Sequence, residues 1–102
     1  MFIFWQDWCA PCRRKGPVLA QLSRDHSDMQ FFGVISGSDD DVNEAKVMKL
    51  SKKWALPYPQ LRDRSGALSD LFGVQGTPTI VILDANGEVV YNAHKLPQRW
   101  DF

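Results

Sequence analysis

The residues with the clearest chemical capacity are Cys9 and Cys12, the only cysteines among 102 residues, arranged as C-x-x-C. A loop closed between them is too short to remove much chain entropy, so the pair reads as chemistry or metal ligation rather than a staple. Structural zinc needs four ligands, and the other soft candidates are His26 and His94. A zinc finger would want a second histidine a few residues beyond His26, where Met29, Gln30 and Phe31 stand. Haem attachment needs a histidine directly after the second cysteine, and Arg13 occupies that place. A redox dithiol suits the setting better: an apolar run ends, a short loop comes next, and a helical pattern begins at the pair. No metal or other cofactor is expected.

At a helix start, residues three apart share a face and come within bridging reach. A thiolate on the first meets unpaired N–H groups and the positive end of the helix dipole. In such places thiol pKa values fall to roughly 3.5 to 7.5. Arg13, Arg14 and Lys15 push the same way, even read only as a solvated helix face. Cys9 is therefore expected as the exposed nucleophile and Cys12 as the more buried resolving thiol.

The elements that position this pair emerge from patterning. Met1 to Trp5 is an apolar, aromatic-rich strand, and Gln6 to Pro11 a loop. Val18, Leu19, Leu22 and His26 share one face of a helix running from Cys12 to about His26, with a kink expected at Pro17. Gln30 to Ile35 is a second strand, and Ser36 to Asp41 a loop whose aspartates can cap the next helix. Val42 to Trp54 places Ala45, Val47, Met48, Leu50 and Trp54 at helical spacing, broken by Leu56-Pro57-Tyr58-Pro59. Ser65 to Phe72 is a short helix stopped by Gly73. Thr79 to Asp84 and Glu88 to Ala93 flank Asn86-Gly87, a strong hairpin signal. The tail from Leu96 to Phe102 begins a helix that has no room to finish. The predicted fold is α/β: a mixed sheet of about four strands, two parallel and then an antiparallel hairpin, flanked by helices.

Composition sets the class. Hydrophobic residues make up 44% and charged residues 24%, as in an ordinary soluble globular domain, and the length allows one domain over residues 1–102. Twelve Lys plus Arg balance twelve Asp plus Glu, leaving no surplus of positive charge for nucleic-acid phosphates. No run of eighteen apolar residues spans a membrane. The start lacks the positive n-region of a signal peptide, so a cytosolic chain or a mature or trimmed piece is expected.

Phe4-Trp5-Gln6-Asp7-Trp8-Cys9-Ala10-Pro11-Cys12 resembles the active-site segment of the thioredoxin superfamily, including the tryptophan before the first cysteine. Gly73-Val74-Gln75-Gly76-Thr77-Pro78-Thr79, about 65 residues on, is similar to its cis-proline loop. The extra helix and L-P-Y-P-Q-L-R-D between Ser36 and Asp63 resemble the TlpA-like, redoxin-type branch. That resemblance implies a thiol–disulfide oxidoreductase, acting as a reductase in an extracytoplasmic (periplasmic) setting, with cytoplasmic as the alternative. It implies protein disulfide or dithiol substrates and an upstream redox partner. It also implies a cis Pro78 beside the dithiol, the Thr77 backbone pairing with a substrate chain as an added strand, and Trp8 shielding the disulfide and forming substrate surface.

Two departures stand out. Ile3 occupies the place of thioredoxin's buried aspartate, and Lys15 the place where the cytochrome-maturation branch commonly carries a glutamate. Only nine residues come after Ala93. Exposed apolar surface there, or an oligomeric partner or further segment covering it, is expected. Two other functions compete: a non-enzymatic binding module, which has no need of both cysteines, and a thiol peroxidase, which works through a sulfenate on a lone nucleophile. Trp5, Trp54 and Trp100 read as packing, His26 as a packed or rim residue, and Asp39-Asp40-Asp41 as solvation or capping, without the spacing of a calcium loop. Asp7 reads equally as loop solubility or as tuning of Cys9. His94 lies far in sequence from everything else.

Overall fold

A computed structural model describes residues 1–100. The elements are β1 (Phe2–Phe4), α1 (Ala10–Asp25), β2 (Phe32–Ser36), α2 (Glu44–Lys53), β3 (Gln60–Asp63), α3 (Ala67–Leu71), β4 (Thr79–Leu83) and β5 (Val89–Ala93). Among the described residues they build one five-stranded sheet in the order β3-β2-β1-β4-β5. β1 and β2 pair in parallel, as expected for strands joined through a helix, and β4 and β5 form the antiparallel hairpin. β1 also runs antiparallel to β4, with Phe4 opposite Thr79. That register sets the end of the C-x-x-C strand beside the start of the strand after Pro78.

The fifth strand, β3, is the correction to the predicted sheet. Gln60-Leu61-Arg62-Asp63 is short and polar and comes after Pro57 and Pro59, so it carries no apolar strand signal. It forms because β2 offers an open edge: Gly33 pairs with Gln60 in parallel register, and Arg62 donates to the Ile35 and Gly37 carbonyls at 2.7 and 3.0 Å. The buried Asp63 then binds the next element, accepting from the amides of Leu68 and Ser69 and from the Ser36 hydroxyl.

The central strands are fully buried on both sides, with Ile3, Phe4, Val34, Ile35, Ile80, Val81 and Ile82 at 2% exposure or less. Details of the helices differ from expectation. α1 starts at Ala10, runs through Pro17, and buries Gly16, Leu19 and Ala20, while Val18 is exposed. Gly16 is buried because the α1 backbone comes close to Trp54: a Cβ there would lie 3.5 Å from the Trp54 Cβ. α2 buries Val47 and leaves Met48 exposed. Its cap is Asn43, whose side chain accepts the Lys46 amide at 3.0 Å, rather than the preceding aspartates. Asp39 is instead tied to Arg64. No helix forms after β5 through Trp100, and the remainder of the predicted tail lies outside the described residues. Val89 and Val90 of β5 are exposed. Among the described residues no helix is long and apolar enough to cross a membrane.

Candidate active site

The turn from Trp5 to Cys9 delivers the first cysteine to the start of α1. Trp5 is buried, donates from Nε1 to Gln60 Oε1 at 2.8 Å, and packs on Trp54 with ring centroids 5.3 Å apart. Gln6 donates to the Ser36 carbonyl at 2.8 Å and its own carbonyl accepts the Cys9 amide at 3.2 Å. Asp7 pairs with Lys46 of α2 at 3.4 Å, which pins this loop to α2.

Cys9 is the N-cap of α1, with φ −85° and ψ 102°, and its sulfur accepts the Cys12 amide at 3.3 Å. The side chain therefore does what serine or aspartate does at other caps, satisfying one of the unpaired amides of the first turn. Cys9 and Cys12 are joined as a disulfide, S–S 2.18 Å and Cα–Cα 5.3 Å. Both are 4% exposed, so burial does not separate a nucleophile from a resolving thiol as expected. Trp8 stands out beside them at 75% exposure. Arg13 and Arg14 are exposed and Lys15 half-buried in the first turn of α1.

Behind the disulfide, Cys12 and Pro78 border one small void of about 10 Å³ with Ile3, Trp5, Gly16, Trp54 and Tyr58. The lining carries no carboxylate, and burial pushes the Tyr58 phenol well above its ordinary value, so it stays neutral. The aspartate and glutamate that Ile3 and Lys15 displace have no replacement in this lining. The Thr77–Pro78 peptide bond is cis.

On the surface, Trp8, Gln6, Gly76 and Thr77 border a cleft of about 220 Å³ floored by Phe4, Trp5 and Val34. The structure thus places Trp8 and Thr77 on one cleft and Cys12 and Pro78 on one void. His94 is a nearby residue for which the sequence alone suggested no role. Its Nδ1 lies 3.1 Å from the Pro78 carbonyl and 3.2 Å from Thr79 Oγ1. The hairpin brings it there: Ile80 pairs with Ala93, so the residue after β5 falls beside Thr79. Counting along both arms from Asn86-Gly87 is the sequence signal that could have found it.

A family model described as Redoxin matches residues 1–98. The chain is 38% identical over 90 residues to mouse nucleoredoxin, covering 85% of this chain and 20% of that protein. It is 30% identical over 88 residues to the thiol-disulfide oxidoreductase ResA of Bacillus thuringiensis, covering 85% of this chain and 49% of the relative. It therefore spans about half or less of the curated relatives it matches. A secreted Mycobacterium tuberculosis disulfide oxidoreductase homologous to E. coli DsbE shares the fold, with TM-score 0.79 and 22% identity over 95% of this chain and 68% of that one. The chain belongs to the Redoxin family of the thioredoxin superfamily, and its C-x-x-C pair, Cys9–Cys12, is joined as a disulfide.

Proposed function

We propose that the protein reduces disulfides in other polypeptides through Cys9 and Cys12. The observation that carries the dithiol chemistry is the placement of Cys9 Sγ on the Cys12 amide at the start of α1, bonded to Cys12, while the reducing direction follows the branch that the sequence resembles. In the reduced enzyme the start of α1 stabilises a Cys9 thiolate. The thiolate attacks one sulfur of the substrate disulfide, that S–S bond breaks, and the departing thiolate takes up a proton. A mixed disulfide now joins Cys9 to the substrate. Cys12, deprotonated to solvent, attacks Cys9 Sγ, releases the second substrate thiol and restores the Cys9–Cys12 disulfide. The substrate gains two electrons and two protons, which an upstream dithiol donor must return.

In this reading the substrate chain lies along the cleft between Trp8 and Thr77, its backbone pairing with that of Thr77. The setting is extracytoplasmic, in line with the branch that the sequence resembles. Turnover of insulin disulfides with dithiothreitol as donor tests the proposal. Wild type should accelerate reduction and Cys9→Ser should abolish the acceleration. Acceleration that persists in Cys9→Ser would overturn it, and consumption of peroxide in place of insulin would favour the peroxidase reading.

A further inference from the structure

We propose that His94 is a positioning residue that orients the Thr77 amide for the substrate backbone, an inference that rests on the docking mode just described. His94 Nδ1 faces two oxygens, the Pro78 carbonyl at 3.1 Å and Thr79 Oγ1 at 3.2 Å. A carbonyl can only accept, so the Nδ1 nitrogen carries the hydrogen and is the donor. The Thr79 hydroxyl then accepts from the ring and gives its own hydrogen to the Gly76 carbonyl, 2.5 Å away. The three groups form a directed relay from His94 through Thr79 to Gly76.

The relay matters because of what lies at its far end. In a trans peptide the C=O and the adjoining N–H are locked in one plane and point opposite ways. Holding the Gly76 oxygen therefore fixes the direction of the Thr77 N–H. His94 also holds the Pro78 oxygen directly, so the peptide planes on both sides of Thr77-Pro78 are tied to one imidazole. The ring itself is well placed for this. Tyr91 OH donates to the Lys95 carbonyl at 2.5 Å, clamping the backbone that carries His94, and the ring edge lies within 3.8 Å of where a Cβ on Gly76 would be. His94 is otherwise exposed and takes no part in the buried core. A histidine kept only for packing has no need of this bond pattern.

The test compares insulin with bis(2-hydroxyethyl) disulfide, which has no peptide backbone to dock. His94→Phe keeps a flat ring and removes the donor, while His94→Asn restores an N–H at the same bond distance from the backbone. For His94→Phe, kcat/KM on insulin relative to the small disulfide should fall about tenfold, chiefly through KM, as for loss of an aligned hydrogen bond. The Cys9–Cys12 reduction potential should not move, and His94→Asn should recover most of the loss. Thr79→Val cuts the same relay at its middle and should give the same selective loss, with no further loss in the double variant. That arm decides the matter if His94→Phe does not fold. Equal losses on both disulfides, a shifted potential, an unchanged insulin KM or no recovery with Asn would each overturn the proposal. A wild type that reduces the small disulfide but not insulin would defeat the docking reading itself, and this proposal with it.

Discussion

The Cys12 backbone N–H donates to Cys9 Sγ across 3.3 Å, so the first sulfur of the pair sits where α1 presents its unpaired amides. Anything that stabilises a thiolate there stabilises the reduced form and raises the reduction potential. Arg13, Arg14 and Lys15 add to the dipole within the same turn. Replacing all three with Gln should raise the Cys9 pKa and make the potential more negative, by about 30 mV for each pKa unit. Redox-buffer titration read by alkylation and mass checks this at low ionic strength, where exposed charges act most strongly. The wild-type potential itself should lie below about −250 mV, in the range of reductases. A value above about −180 mV, or a triple variant that becomes more oxidising, would contradict the account.

Cys12 has a different environment. The void it borders with Pro78 holds no carboxylate, and its one other titratable group, the Tyr58 phenol, is held neutral by burial. Without a base beside it, Cys12 must lose its proton to water. Resolution of a preformed mixed disulfide should therefore accelerate about tenfold per pH unit through neutral pH, because the Cys12 thiolate is the attacking species. Stopped-flow release of a fluorescent thiol from Cys9 would measure it. A rate independent of pH between about 6 and 8 would point to a base that this environment lacks.

Asp63 links β3 to α3 and to the Ser36 hydroxyl, all at the sheet end that carries the cleft. Burial acts to raise its carboxyl, but hydrogen bonds from the Ser36 hydroxyl and the Ser69, Leu68 and Ala67 amides outweigh it and hold the pKa below the usual value. The folded state thus favours the charged form. Its stabilising contribution is full above the unfolded carboxylate pKa and is lost as pH falls through the lower folded value. Urea unfolding should show Asp63→Ala less stable at neutral pH by about 1 to 3 kcal/mol, the cost of leaving buried donors unpaired. The gap to wild type should narrow in acid. A constant gap would mean that the side chain acts through shape rather than charge.

What the sequence revealed and what it hid divide along a physical line. Cys9, Cys12 and Pro78 announce themselves by residue type, and the paired apolar runs of β1, β2 and β4 by burial on both faces. The Asn86-Gly87 turn marked the hairpin. β3 was hidden because its stability comes from Gly33 and Arg62 contacts with β2, not from its own composition. His94 was hidden because its relation to Thr79 is one of register across a hairpin with an irregularity at Ile82/Leu83. The equal burial of the two cysteines is a packing outcome around Trp5, Ile35, Val42 and Val47, which local spacing does not encode.

The central claim is that Cys9 forms the mixed disulfide and Cys12 resolves it. The most direct measurement exposes Cys12→Ser and Cys9→Ser, each reduced, to a disulfide-bonded protein and counts the trapped adducts by non-reducing electrophoresis and mass. The account predicts a stable adduct through Cys9 in Cys12→Ser and none in Cys9→Ser. Equal trapping by both, or trapping by Cys9→Ser alone, would contradict it.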